Sequence, residues 1–223
     1  AVSMAVIQVL AEIGNLPRGI VNAVTGPGRT VGEVLAKSKD VNMINFTGDT
    51  STGQRIAELA AKTIKKVALE LGGKSPNILF EDADLDKAIP AAVKAVFLTC
   101  GQVCMAGTRL VVQDTIFDEV VNRIKAATEQ LKVGNGFDSG CDIGPLISQN
   151  QLDLVMKYIE TGKKEGKLVT GGYRLTGKGH EEGFFVAPTV FTDLPNHSSL
   201  VQEEIFGPVL VIQKFHSEAE AVQ

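Results

Sequence analysis

The chain has 223 residues, which at roughly 150 residues per domain allows one large domain or parts of two, with ample length for a real core. Its 22 Lys and Arg against 26 Asp and Glu give a net charge of −4, with 44% hydrophobic residues and no Trp. That is the profile of an ordinary globular protein, and its mildly acidic balance argues against nucleic acid as the main partner.

Apolar residues at helical spacing (Val2, Val6, Leu10, Ile13) begin at once, the first residue is Ala, and no basic leader precedes them. The sequence therefore reads as a segment excised from a longer protein. The opening helix is expected to stop near Gly14, with Pro17 beyond it to prevent continuation. The pattern then alternates. Short runs rich in Val, Ile and Leu at 20–24, 41–46, 66–71, 77–80, 109–113 and 208–215 read as strands, separated by amphipathic segments whose clearest helices are 54–63, 84–98, 115–131 and 148–164. This rhythm predicts an α/β fold of βαβ units, with mainly parallel sheets and flanking helices. Ser51 with Gln54 and Ser148 with Gln151 have the spacing of capping boxes. Gly171-Gly172 and 177–183 read as loops, and Ser217 starts a helix that Gln223 cuts off.

The longest uncharged stretch, 95–108, is too short for a membrane helix and contains Gly, Gln and two Cys, so no span is expected. Three cysteines (Cys100, Cys104, Cys141) make a poor disulfide framework and fit a reducing compartment, the cytoplasm. His180, His197 and His216 lie far apart in sequence and form no ligand cluster with them, so no metal site is expected.

Three strand-to-helix turns are marked by glycine: Thr25-Gly26-Pro27-Gly28, Phe46-Thr47-Gly48-Asp49-Thr50 before a helix containing Gly53, and Leu71-Gly72-Gly73-Lys74. Glycine there lets a phosphate or ribose approach the backbone, with helix N–H donors behind it, although ordinary turn glycines explain the same pattern. Cys104 stands among small residues between a helix and a strand, as suits a thiol approached by substrate, whereas Cys100 reads as a buried small apolar residue. Glu70 ends an otherwise apolar strand. A buried or cleft-facing acid there has a raised pKa and suits general-base work, and a solvent-facing carboxylate is the plain alternative.

Together these segments resemble the aldehyde dehydrogenase superfamily. The residues that carry the resemblance are 45–53 (Asn-Phe-Thr-Gly-Asp-Thr-Ser-Thr-Gly), 69–76 (Leu-Glu-Leu-Gly-Gly-Lys-Ser-Pro), 82–86 (Asp-Ala-Asp-Leu-Asp), 101–104 (Gly-Gln-Val-Cys), 144–146 (Gly-Pro-Leu), 187–190 (Ala-Pro-Thr-Val) and 203–209 (Glu-Glu-Ile-Phe-Gly-Pro-Val), in order throughout the chain. The resemblance implies that Cys104 is the nucleophile and Glu70 the general base. It implies attack of the Cys104 thiolate on an aldehyde, hydride loss to NAD or NADP, and hydrolysis of the resulting thioester by water that Glu70 activates. It also places Gly48, Asp49 and Gly53 near the cofactor pyrophosphate, with Gly28 and Leu71 in the neighbouring glycine-marked turns. Glu204 falls on the nicotinamide ribose, Phe206 beside the nicotinamide, and Gln151 on the adenosine ribose or in its capping box. Asp49 stands where many relatives have Ser.

The family pattern further implies that residues 1–71 are the later part of a cofactor-binding domain and 72–223 most of the catalytic domain, truncated at both ends. The absent upstream stretch would carry an Asn of the oxyanion hole, so the segment alone is expected to be inactive, and the whole protein is expected to be a homo-oligomer acting on a small aldehyde. Two other readings stand beside it: an acyl-transferring relative that passes the acyl group to coenzyme A, which has no need of Glu70, and a non-catalytic fragment or binding module.

Overall fold

The computed structural model describes residues 2–13, 16–17 and 19–223, with side chains from Met4 onward, so the expected stop at Gly14 lies outside the described residues. The chain divides into two compact units, Ala1–Leu71 and Gly72–Gln223.

In the first unit, helix α1 (Val2–Glu12) precedes a π-helical turn, Gly28–Gly32, that runs into α2 (Glu33–Lys37). Strand β1 (Met43–Gly48), helix α3 (Thr50–Ala61) and strand β2 (Lys66–Leu71) then form one βαβ unit, in which β1 and β2 pair in parallel from Met43↔Lys66 to Gly48↔Leu71. The apolar run at 20–24 is not a strand. Ile20 is 62% and Val24 70% exposed, and no strand among the described residues pairs with them, so their β propensity finds no ladder to join.

The second unit carries β3 (Pro76–Leu79), α4 (Leu85–Phe97), β4 (Arg109–Gln113), α5 (Phe117–Glu129), α6 (Gln149–Glu165), β5 (Lys167–Thr170), β6 (Thr189–Thr192), α7 (Ser199–Gln202), β7 (Val209–Phe215) and α8 (Glu218–Val222). Its five strands form one sheet in the order β3-β4-β7-β6-β5, parallel except for β5. The central strand β7 is buried along nearly its whole length, as expected for a parallel strand covered on both faces. Leu110, Phe191 and Leu210 of the sheet pack in one core with Phe97, Ile124 and Ile159 of α4, α5 and α6, each worth roughly 1.5–3 kcal/mol of burial. Among the described residues no helix is long and apolar enough to cross a membrane.

Candidate functional site

Parallel strands bring the chain segments at their ends to one edge, and both units gather candidate residues in this way. In the first unit Gly48, Asp49, Glu70 and Leu71 lie at the carboxyl edge of the β1–β2 pair, with Thr47 opposite Glu70 and Gly48 opposite Leu71. Ligands of open α/β sheets bind at such an edge.

The first turn of α3 shows how that edge is built. Asp49, not Ser51, is its N-cap: the Asp49 carboxylate accepts from Ser51 N at 2.9 Å and Thr52 N at 3.2 Å, and also from the Ser51 hydroxyl. The expected capping box at Ser51 is therefore displaced by a stronger anionic cap two residues earlier. The Ser51 hydroxyl bond, followed by the backbone N–H bonds, holds the Asp49 carboxyl below the usual range. Gly48 and Gly53 have packing reasons of their own. A Cβ on Gly48 would lie 2.6 Å from the Phe46 ring, and one on Gly53 would lie 2.6 Å from the Leu71 side chain. Gly28 differs, since nothing stands within 4 Å of its Cβ position. It lines a cavity of about 330 Å³ beside the start of α3, with apolar walls from Phe46, Ile56 and Leu59 and the charged residues Arg29, Glu33 and Arg55 around it. Glu70 is exposed, the solvent-facing alternative that a carboxylate at the end of an apolar strand allows.

In the second unit the gathering edge is the opposite one. Lys74 precedes β3, Cys104 precedes β4, and Glu204 and Phe206 precede β7; parallel registry puts Pro76 beside Arg109 and Arg109 beside Val211. Helix α4 ends at Phe97, and the chain then passes through three left-handed residues, Thr99 (φ 55°), Cys100 (φ 59°) and Gly101 (φ 68°). Left-handed backbone costs a residue with a side chain roughly 1–2 kcal/mol, so surrounding contacts must hold it. They do so closely. A Cβ on Gly101 would lie 2.1 Å from the Gly207 carbonyl oxygen, and Gln102 Oε1 accepts from Ile147 N at 2.9 Å. The turn buries Cys100, whose thiol is pushed up to about 12 by loss of solvent, and presents Cys104 exposed four residues after it. Cys141 is half-buried and its thiol donates to the Ile143 carbonyl.

The facing segment is held as tightly. Ser148 caps α6 through Gln151 N at 3.3 Å, but the Gln151 side chain does not complete the capping box. Its amide donates to the carbonyls of Ile205 (3.0 Å) and Phe206 (2.9 Å), and Phe206 itself is left-handed (φ 55°). The structure thus gives Gln151 a role that neither sequence reading anticipated, which is to hold the loop that carries Glu204 and Phe206. A Cβ on Gly72 would lie 1.7 Å from Glu204 Oε2, so only glycine leaves room for that carboxylate. Lys74 Nζ and Arg109 Nε are buried nearby with no hydrogen-bond acceptor in reach among the described residues. Loss of solvent and then the neighbouring Arg109 charge bring Lys74 down to about 8, against the favourable pull of Glu204 and Glu203. Sequence reasoning passed over Lys74; its only signal is a lysine directly after two glycines. No cluster of potential metal ligands occurs among the described residues.

The sequence pattern of the aldehyde dehydrogenase family matches residues 1–223. The betaine aldehyde dehydrogenase of Bacillus subtilis is 47% identical over 215 residues, covering 96% of this chain and 44% of that protein. An aldehyde dehydrogenase of Emericella nidulans is also 47% identical, covering 97% of this chain and 43% of its own length. Among solved structures, betaine aldehyde dehydrogenase from Staphylococcus aureus in complex with NAD+ superposes with a TM-score of 0.95 at 37% identity, over 99% of this chain and 44% of that one. An aldehyde dehydrogenase from Bartonella henselae gives 0.94 at 42% identity, over 99% and 46%. The chain thus spans less than half the length of the relatives it matches. Similarity in sequence and in backbone runs through both units, and the chain belongs to the aldehyde dehydrogenase family.

Proposed function

We propose that the whole protein is an NAD(P)-dependent aldehyde dehydrogenase that makes carboxylic acids, with Cys104 as nucleophile and Glu70 as general base. The observation that carries this reading is the presentation of Cys104. Of the two cysteines near that loop, one is sealed in the core as a thiol and the other is exposed, and its loop is braced against the Glu204–Gly207 segment. In this reading the first unit belongs to the cofactor-binding domain and the second to the catalytic domain.

The residues fit a dinucleotide cofactor at most of its expected positions. The cavity beside Gly28, Phe46 and Ile56 is apolar enough for a planar base, and Gly28 has no packing reason to lack a side chain. Glu204, seated on Gly72, offers carboxylate acceptors to a ribose diol, and Phe206, 37% exposed, offers a ring face to a nicotinamide. Asp49 is the exception: its carboxylate already occupies the N–H groups of the first turn of α3, so a pyrophosphate must be held by other donors. Gln151 serves the same site indirectly, through the Ile205 and Phe206 carbonyls.

The Cys104 sulfur attacks the carbonyl carbon of an aldehyde and forms a C–S bond, giving a thiohemiacetal. A bound nicotinamide supplies the acceptor for the hydride that leaves that carbon. The acyl group then remains on Cys104 as a thioester, a good acyl donor to water. Glu70 takes a proton from the attacking water, the C–S bond breaks, and the acid leaves with the Cys104 thiolate restored. We further propose that the whole protein is a cytoplasmic homo-oligomer; the free cysteines Cys100, Cys104 and Cys141 support a reducing compartment.

Acid quench of the whole protein during turnover, followed by peptide mapping, tests the reading: an acyl group is expected on Cys104. An acyl group on any other residue, or turnover accelerated by coenzyme A as acyl acceptor, would contradict it.

A further inference from the structure

Cys104 and Met105 stand at the tip of a tight turn in which Ala106 N donates to the Val103 carbonyl at 3.0 Å. Met105 is 77% exposed, so packing within the second unit does not hold that tip in place. The turn is held at its ends instead. On its carboxyl side Gly107 N donates to the Ala95 carbonyl of α4 at 3.2 Å, and Val211 N of β7 donates to the Thr108 carbonyl at 3.0 Å. These are backbone bonds, independent of any side chain. On the amino side the anchor is a side chain: Gln102 Oε1 accepts from Ile147 N at 2.9 Å, and Gln102 Nε2 donates to the carbonyl of left-handed Thr99 at 3.4 Å.

The Ile147 end of that bond is itself placed. Ile147 precedes Ser148, the N-cap of α6, and α6 holds the facing loop through the bonds of Gln151 to the Ile205 and Phe206 carbonyls. The circle of contacts closes where Gly101 lies against Gly207. Within it Gln102 is the side chain that ties the turn of Cys104 to the start of α6.

We propose that Gln102 is a positioning residue for Cys104, fixing the turn that carries the sulfur against α6 through the Ile147 N–H. The proposal rests on the reading of Cys104 as nucleophile. The amide is uncharged and is engaged with backbone at both of its ends, so it acts on where the sulfur stands and not on proton transfer. Without it the amino side of the turn keeps only the Gly101 contact, and the sulfur spends less time at attacking distance. Ile147 is 80% exposed, so water can meet the released N–H and the fold loses little.

Acylation by p-nitrophenyl acetate tests this on the whole protein, without aldehyde or cofactor. The Cys104 thiolate bonds to the acetyl carbon, the ester C–O bond breaks, and p-nitrophenolate leaves with a rate constant and an amplitude read by absorbance. Gln102→Met, of similar length but without the amide, is expected to lower the rate constant about 10- to 100-fold at unchanged amplitude, the scale of a sulfur misplaced by roughly 1 Å. Ile147→Pro removes the donor of the same bond, 45 residues away in the chain, and is expected to do the same. The double variant is expected to be no slower than the slower single one, because both lose one shared bond. A merely structural glutamine would lower the amplitude with the unfolded fraction and leave the rate constant alone. Hydrogen exchange gives a readout that needs no chemistry: the Ile147 N–H is expected to exchange faster in Gln102→Met. A wild-type rate constant in a folded Gln102→Met or Ile147→Pro protein, a loss of amplitude alone, effects that multiply in the double variant, or unchanged exchange at Ile147 would each overturn the proposal. Should Gln102→Met not fold, Ile147→Pro decides, since it leaves the residues of the Cys104 turn as they are. Acetyl groups mapped only to residues other than Cys104 in the wild type would refute the nucleophile reading, and the positioning role with it.

Discussion

At the carboxyl edge of the β1–β2 pair the candidate residues are held by their neighbours in sequence: Asp49 caps the helix that begins one residue later, and Gly48 packs on Phe46. At the amino edge of the five-stranded sheet the partners are remote. Gln102 holds Ile147, Gln151 holds Ile205 and Phe206, and Gly101 lies against Gly207. The first edge is exposed and built from local motifs; the second is braced by tertiary contacts that keep Thr99, Cys100 and Phe206 in left-handed backbone. Local construction leaves an edge open to a long ligand. Remote construction fixes a few atoms in place against strain, which suits the residue that does the covalent chemistry.

The largest effect is expected at the base. Glu70→Gln in the whole protein should slow thioester hydrolysis by roughly 10²–10⁴-fold while the first burst of NAD(P)H survives, as rapid mixing would show. Unchanged steady-state turnover would remove Glu70 from the mechanism.

Next comes the braced edge. Gly101→Ala puts a side chain 2.1 Å from the Gly207 carbonyl at a positive φ, and should cost about 1–3 kcal/mol in denaturant unfolding of the second unit. The locally built edge should be more forgiving. Asp49→Ala should cost about 1 kcal/mol through the lost cap of α3, whereas Asp49→Ser keeps a cap and removes a negative charge, so it should tighten NAD+ binding. Because the Asp49 carboxyl is held below its ordinary range, its stabilisation is complete above the unfolded-state pKa and is lost as pH falls through the lower folded value. Asp49→Asn should flatten that acid limb in a melting series. The smallest effect on folding is expected at Gly28→Ala, within about 0.5 kcal/mol of wild type, since its Cβ meets nothing. The same variant should weaken NAD+ binding, and equal binding would detach the Gly28 cavity from the cofactor.

The same contrast decides what could be read without coordinates. Strands β2 and β4 fall on the bounds their apolar runs predict, and helices α3 to α6 lie within a few residues of theirs, because burial of one face writes a period into the sequence. Strands β5 and β6 escape notice, since each is defined by its pairing with the other and, for β6, with β7 rather than by a pattern of its own. The segment 20–24 fails for the converse reason: it has strand composition and no pairing strand among the described residues. Ser51 misleads because a capping-box spacing does not reveal a better cap two residues before it. The exposed position of Cys104 is legible from the small residues around it. The left-handed turn that presents it is not, because Thr99 and Cys100 carry none of the glycine or asparagine signals of that backbone. Lys74 and the loop-holding role of Gln151 are likewise invisible, since each depends on residues far away in the chain.

The central claim is that Cys104 carries the covalent chemistry, and rapid-mix NAD(P)H fluorescence on single Cys→Ala variants of the whole protein tests it most directly. Cys104→Ala is expected to abolish the burst while NAD+ binding persists, and Cys100→Ala and Cys141→Ala to keep it. A burst that survives in Cys104→Ala, or that disappears in Cys100→Ala with folding and NAD+ binding intact, would contradict the account.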